Sequence, residues 1–514
     1  MSGTQNGTGG NNQLYDTATQ DYIYGLGGND TVFAFTSGID IGGGVDQFFG
    51  GSGIDRISYE FSIHSVVMNL ASGWARRTIS EGVFSQTDVL TSFEEFWGSD
   101  LGDSFFGSDT SDTINALDGD DTIYSEGGND NVTAGGGNDT VYSGDNADSV
   151  FGGNGSDSIF GESGNDTLRG QNGEDTISGG SGRDLIYGGN HDDHITGGDG
   201  QDTIFGQDGD DRAFGNGGAD SIVGGLGDDS LSGFEAADTL RGDEGNDSLF
   251  GGNGADELRG GTGDDSIVGG AGIDTVIYDF ADGVDIDLSA EWAWGVSAGS
   301  DTLKTVENVI TGSGEDFVIG HNGANVLELG GNDDVAFGEG GSDDIYMGSG
   351  ADTASGGNGS DTIRGGLGTD VLVGDAGADS LMAGGGDDTL FGGRGGDTLN
   401  GGGGANIFGF IEGSDGVDII EDFTPGVDKL MFMPDFFAFE VVDVVQYDFL
   451  LNVETDPGTG DAILRALTSE GQRKIAQFEG VDAATLDALI VSGEIIAGGP
   501  VSPEAQLTDM EWLI

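Results

Sequence analysis

The sequence predicts an all-β solenoid, a stack of short strand-and-loop units, and three observations predict it. The first is a strict nine-residue period: from Asp103 to Asp274 every ninth residue is aspartate, twenty positions without a slip. A second array keeps the spacing from Asp316 to Asn406, with Asn325 and Asn406 as its only non-aspartates. The second observation is an apolar residue two positions after each aspartate, as in Ile114, Ile123, Val132, Val141, Val150 and Ile159; only Ala213 is small at this place in the long array. The third is glycine, 105 of 514 residues against 5 prolines, gathered around the aspartates. Glycine and acid at these levels also suit a disordered chain, but disorder does not need a period.

Residues 152–180, GGNGSDSIFGESGNDTLRGQNGEDTISGG, show the frame: glycine stands first and aspartate sixth in each unit of nine. Glycines at the first, second and fourth places permit the positive φ of a tight loop. The three residues after the aspartate read as a short strand with one side chain turned inward. Such a unit cannot stand alone. Burying one Leu or Ile contributes roughly 1.5–3 kcal/mol, while ordering nine residues costs about 1–2 kcal/mol each. Stacking on neighbours supplies the missing hydrogen bonds and a continuous core. His191 and Ala236 interrupt the fourth-place glycine, and GFEAAD at 233–238 reads as the weakest repeat. A short N-terminal piece carries Asn12, Asp21 and Asp30 in register, then Asp46 and Asp55 after a break.

Stacked aspartates repel one another, and something must neutralise them. The chain has 93 acidic and 15 basic residues, a formal charge of −78. That balance excludes nucleic acid and anionic membrane surfaces as partners and points to cations. Carboxylates and carbonyls offer only oxygen, which suits calcium with its six to eight flexible ligands. Magnesium demands stricter octahedral geometry, and zinc would want His or Cys. The chain has no cysteine, so disulfides and thiolate chemistry are excluded. No stretch approaches twenty apolar residues, so no membrane span is expected. The first residues, MSGTQNGTGGNNQ, lack the basic and apolar regions of a Sec-type signal, so export would use another route.

The unit G-G-x-G-x-D-x-U-x resembles the RTX, or hemolysin-type calcium-binding, nonapeptide repeat. The resemblance implies a right-handed parallel β-roll with two nonapeptides per turn. It further implies calcium ions between loops stacked on the same side, held by aspartates and backbone carbonyls and shared at a spacing of eighteen, as between Asp157 and Asp175. The implied ligands in the long array are Asp112, Asp121, Asp130, Asp139, Asp148, Asp157, Asp166, Asp175, Asp184, Asp193, Asp202, Asp211, Asp220, Asp229, Asp238, Asp247, Asp256, Asp265 and Asp274. In the second array they are Asp334, Asp343, Asp352, Asp361, Asp370, Asp379, Asp388 and Asp397. If roughly two dozen sites fill, about 50 positive charges offset most of the negative charge.

Two inserts interrupt the repeats and resemble each other. One begins GIDRISYEF at 53 and ends TDVLTSFEEFWGS at 99; the other begins GIDTVIYDF at 272 and ends SDTLKTVENVITGS at 313. Both read as small β elaborations, with Val284, Ile286 and Leu288 alternating as a half-buried strand. Four of the five tryptophans, Trp74, Trp97, Trp292 and Trp294, lie in or beside them. They read as local core or edge cover, or as an aromatic platform for sugar rings; Trp292 and Trp294 would share a face if extended. After about residue 410 the repeat is lost. DGVDIIEDFTPGVDKLMF at 415–432 and the stretch 460–490 resemble the β domain that follows the roll in serralysin-type proteins, which would cap an open sheet edge.

The expected organisation is therefore a short N-terminal array (1–58), a β insert (59–97), the main roll (98–277), a second insert (278–310), a second roll (311–409), a C-terminal cap (410–499) and a tail (500–514). The tail ends Glu511, Trp512, Leu513, Ile514, similar to the uncleaved signals read by type I secretion machinery. No catalytic domain is visible and H-E-x-x-H is absent. HDDH at 191–194 suggests a metal site, yet His191 and His194 both fall in a repeat loop, at places four and seven, and read as ordinary loop residues. GVSAG at 295–299 matches the nucleophile-elbow string around Ser297, but a hydrolase would need a strand–turn–helix and later Asp and His partners. These readings converge on an extracellular calcium-binding protein that folds outside the cell, with a structural, surface-layer, adhesive or matrix role and cell-surface or matrix polysaccharide as partner. The alternative is a secreted polysaccharide-modifying or hydrolytic enzyme with an unrecognised site.

Overall fold

A computed structural model describes residues 3–15, 21–34, 46–80, 83–84, 88–410 and 416–432, then 451–455, 461–468, 471–478, 481 and 495–497. It divides into two compact units, Met1–Gly272 and Ile273–Ile514. Both are all-β, and the described residues contain no helix.

In the long array of the first unit each strand pairs in parallel with the strand eighteen residues on. One sheet stacks Thr113–Asp118, Asn131–Gly136, Ser149–Asn154, Thr167–Asn172 and Leu185–Asn190. The other stacks Thr122–Glu126, Thr140–Tyr142, Ser158–Phe160, Thr176–Ser181 and His194–Asp199. A turn is thus two nonapeptides, one strand in each sheet, a parallel solenoid of the kind that the repeat implies. The sequence period fixes the register because eighteen residues return the chain to the same sheet and face. The eighth-place side chains point inward from both sheets. Val150, Leu168 and Ile186 from one sheet, with Ile159, Ile177 and Ile195 from the other, are all buried. Outside, stacked strands bring like residues together. Phe106, Tyr124, Tyr142 and Phe160 form a continuous ring stack with centroids 5.4, 4.9 and 4.8 Å apart.

The repeat at 233–238 keeps this register, pairing Ser230–Glu235 with Arg212–Gly217 and Ser248–Gly254. Its irregularity takes another form: Ala236 holds φ of 78° at the fourth place, where most repeats have glycine.

Each insert is antiparallel. In the first, Val66–Asn69 pairs with Trp74–Ser80, which meets Asp88–Thr91. In the second unit, Val284–Asp287, Trp292–Gly295 and Gly299–Lys304 form a three-stranded meander. The repeats then resume, with Phe317–Ile319, Val335–Phe337, Thr353–Ser355 and Val371–Val373 stacked in parallel. Beyond them Lys429–Phe432 stacks on Ile407–Phe410 and pairs in turn with Ile495–Ala497. Gly471–Phe478 pairs with Asp418–Ile420 on one side and antiparallel with Ala462–Thr468 on the other. The tail 500–514, including the expected secretion signal at Glu511–Ile514, lies outside the described residues.

Candidate metal centre

The sixth-place aspartates stand just before each strand, and the roll stacks them into two columns in each unit. From Asp121 to Asp265 in the first unit, and from Asp334 to Asp397 in the second, all are buried, as are Asp112 and Asp274. Within a column the bonding repeats. Oδ1 of each aspartate accepts the backbone N–H of the aspartate eighteen residues earlier: Asp139 donates to Asp157 at 2.8 Å, Asp157 to Asp175 at 2.7 Å, Asp175 to Asp193 at 2.8 Å. The other column runs Asp148, Asp166, Asp184, Asp202 in the same way.

Oδ2 is different. For every sixth-place aspartate from Asp121 to Asp247, and for Asp334 through Asp397 in the second unit, this buried oxygen has no hydrogen-bond partner. An unsatisfied buried acceptor costs about 1–3 kcal/mol and a buried charge more. Neighbouring carboxylates lie one strand spacing apart, about 4.8 Å, so repulsion adds to the cost. Burial pushes Asp121, Asp193 and Asp229 up to about 8, the carboxylates one turn above and below push the same way, and only the accepted N–H opposes. Asp157, Asp166 and Asp247 are raised to about 7, burial again first. The column cannot be fully ionised at neutral pH unless positive charge enters it.

The donor set decides what kind of positive charge fits. Among the described residues no three His, Cys, Asp or Glu side chains gather at one point. Any ion here would take few carboxylates and complete its shell with backbone carbonyls, the hard all-oxygen mixture suited to calcium. The carbonyls are close at hand: a Cβ built on Gly170 would lie 2.1 Å from Asp175 Oδ2 and 2.6 Å from the Gly188 carbonyl oxygen.

The sequence profile of the RTX calcium-binding nonapeptide repeat matches residues 6–34, 41–58, 97–276 in overlapping copies, and 310–408. The chain belongs to the RTX calcium-binding nonapeptide repeat family. Its repeats are calcium-binding repeats, and the two columns are where their aspartates lie. No curated protein matches the chain in sequence. Among solved structures, the extracellular lipase LipA from Serratia marcescens is similar at 15% identity and a TM-score of 0.17, over 55% of this chain. The similarity spans 40% of the lipase chain, less than half its length.

Several members of the columns were not among the implied ligands. Asp30, Asp55 and Asp316 each carry an unpartnered buried Oδ2, like the interior aspartates. Glu94 and Glu307 take the aspartate's place where the inserts rejoin the roll: Asp55 N–H donates to Glu94 Oε2 at 3.0 Å and Asp274 N–H to Glu307 Oε2 at 2.8 Å. The signal was present, because Glu94 and Glu307 stand nine residues before Asp103 and Asp316. Asp418 and Asp428 continue the columns by accepting the N–H of Asp397 and Asn406, after irregular spacings of 21 and 22.

The other singled-out residues are placed as follows. His191 lies in a loop at φ 80° with Nδ1 2.7 Å from its neighbour Asn190's carbonyl oxygen. His194, expected in the loop, instead opens the strand His194–Asp199, since the residue after each sixth-place aspartate of the long array begins the next strand. Ser297 sits in a hairpin turn between Trp292–Gly295 and Gly299–Lys304, not in a strand–turn–helix, and its hydroxyl donates to Asp282. Trp97 is covered by Arg56 at 4.0 Å and Trp74 by Arg76 at 4.6 Å. Trp292 and Trp294 stand on one face of their strand, 38% and 51% exposed.

Proposed function

We propose that this chain is a secreted protein whose β-roll folds on calcium bound along the aspartate columns, and that the folded roll has a structural, surface-layer or adhesive role. The observation that carries the reading is the row of buried carboxylates, each with one oxygen satisfied by backbone and the other awaiting a cation. The ligands proposed are the sixth-place aspartates of the array interiors, with Asp30, Asp55 and Asp316 added. Each would supply carboxylate oxygen to an ion that carbonyls of the same loops complete. In calcium-poor cytosol the columns repel and the chain stays open enough for export. At millimolar calcium outside, a site with Kd near 10⁻⁴ M adds about 1.4–2.7 kcal/mol, and many sites act together. Far-UV circular dichroism tests this: strand signal that rises with calcium and collapses in EGTA supports it, and an equal signal in both defeats it.

The adhesive part draws on the second insert. Asp285 and Asp287 flank Trp294 and Trp292 across one pairing, and Ser300 and Thr302 flank them across the other. Two exposed indoles bordered by carboxylates and hydroxyls suit the apolar face and hydroxyl rim of a sugar. Co-sedimentation of calcium-loaded protein with polysaccharide extracted from the producing cells tests the role. Retention lost in the Trp292→Ala/Trp294→Ala variant supports it, and no retention of the wild type in calcium counts against it.

A further inference from the structure

The sixth place is not always aspartate; of its three asparagines, Asn325 accepts the second-place N–H of His321 on Oδ1 at 2.9 Å, while Asn12 and Asn406 turn their NH₂ into the loop. Asn406 is buried, its Oδ1 accepts the N–H of Asp388 at 3.0 Å, and its own N–H donates to Asp428 Oδ1 at 2.9 Å. With Oδ1 fixed by the backbone, Nδ2 falls where an aspartate puts Oδ2. A Cβ built on Gly401 would lie 2.5 Å from Asn406 Nδ2, and one built on Gly392 would lie 2.5 Å from Asp397 Oδ2. Asn12 shows what such an NH₂ does. Its Nδ2 donates to Asp30 Oδ1 at 2.8 Å, to the Thr8 carbonyl at 3.4 Å and to the Gly10 carbonyl. A carboxylate of the next turn and two loop carbonyls therefore face one donor group. In an aspartate turn the same arrangement sets oxygen against oxygen, which a hard cation satisfies and nothing in the chain does.

We infer that Asn12 and Asn406 replace a calcium ion with their own side-chain NH₂, so that these turns close without metal. The inference rests on the calcium reading of the aspartate columns. Other turns near the ends of the arrays are also closed, by a backbone donor: the second-place N–H of Ser99, Ser108 and Thr424 donates to Oδ2 of Asp103, Asp112 and Asp428 at 2.6, 2.8 and 2.6 Å. Metal-free turns thus stand at or near the margins of the metal-requiring stacks, where an ion would have a complete shell on only one side.

The test is a gain of metal, which a mere loss of structure cannot imitate. Wild type, Asn406→Asp and Asn12→Asp are saturated with calcium, and bound ions are counted by native mass spectrometry with circular dichroism confirming the fold. Each variant is expected to hold one more ion than wild type and to need more calcium for half-maximal strand signal. Unchanged ion counts in both folded variants overturn the inference while leaving the calcium reading intact. Failure of Asn406→Asp to fold at saturating calcium also counts against it, since an aspartate there should behave as an interior turn. A wild type that binds no calcium overturns the calcium reading itself.

Discussion

The array interiors and the two inserts both bury carboxylates against strands, and they settle the charge in opposite ways. In the inserts a buried tyrosine supplies a donor: Tyr59 hydroxyl donates to Asp88 at 3.3 Å and Tyr278 hydroxyl to Asp301 at 2.7 Å. The first insert also has large apolar groups, with Tyr59, Met68, Leu90, Phe96 and Phe105 buried around it. An interior turn buries one aliphatic residue per strand and leaves Oδ2 of its aspartate without a donor. On the proposed reading, insert stability is therefore written into side chains, whereas array stability is lent by calcium from solution. The largest effect should be calcium removal read region by region. In hydrogen exchange, amides of residues 121–247 should lose protection by more than tenfold in EGTA, while those around Tyr59 and Tyr278 lose less. Equal loss everywhere would erase the distinction.

Protons should substitute for calcium in the array and not in the inserts. Burial, the chief cause, raises the interior aspartates of the folded roll above an ordinary 3.8, with Asp121 at about 8, Asp157 at about 7 and Asp139 at about 6. Between about pH 4 and 8 the ion-free fold therefore binds more protons than the unfolded chain, and its stability falls as pH rises. The expected outcome is that protein in EGTA gains strand signal on acidification from pH 8 towards 4, without metal. In calcium, protons and ions compete for the same oxygens, so the folded roll's affinity for calcium should weaken below about pH 7, while the calcium needed for folding falls because protons stabilise the same fold. A strand signal in EGTA that is flat with pH would remove the charge argument for the columns.

Much of this was legible in the sequence, for a physical reason. A solenoid repeats its environment, so the same residue types recur at the same spacing, and eighteen residues returning to one face made strand pairing, core and aspartate columns readable together. Asp157 and Asp175 are stacked because of that period, as are Leu168 and Ile186. What was not legible is how the columns cross the breaks. Asp55 reaches Glu94 across 39 residues, and Asp397 reaches Asp418 across 21. Only the fold shows that the column continues across the intervening residues. The acceptor state of Oδ2 is also hidden: Asp112 and Asp121 are identical letters in one frame, yet Ser108 satisfies the first and nothing satisfies the second.

A backbone change in the array should couple to calcium. Gly218 holds φ of 134°, and a Cβ there would lie 1.2 Å from the Gly200 carbonyl oxygen of the turn before. Gly218→Ala is expected to cost about 1–3 kcal/mol, because neither the angle nor the approach suits an L side chain. Since it acts within a loop between aspartates, the loss should be seen as a higher calcium midpoint and a lower Tm in calcium. An unchanged midpoint would mean that the fourth-place glycines matter less than their recurrence suggests.

The smallest expected effect tests the other side of the comparison. Tyr278→Phe keeps the ring and removes only the hydroxyl that donates to Asp301, at a cost of about 1.5 kcal/mol, the low end for a hydrogen bond to a charged group, because Asp301 keeps other interactions. Tyr59→Phe removes the longer bond to Asp88 and should cost less. Both losses should be the same at intermediate and saturating calcium, because the tyrosine, not an ion, satisfies these acids. Thermal unfolding of the two variants at both calcium levels decides this. If Tyr278→Phe instead shifts the calcium midpoint as Gly218→Ala does, the inserts are part of the metal-dependent stack and the division drawn between them and the array interiors is wrong.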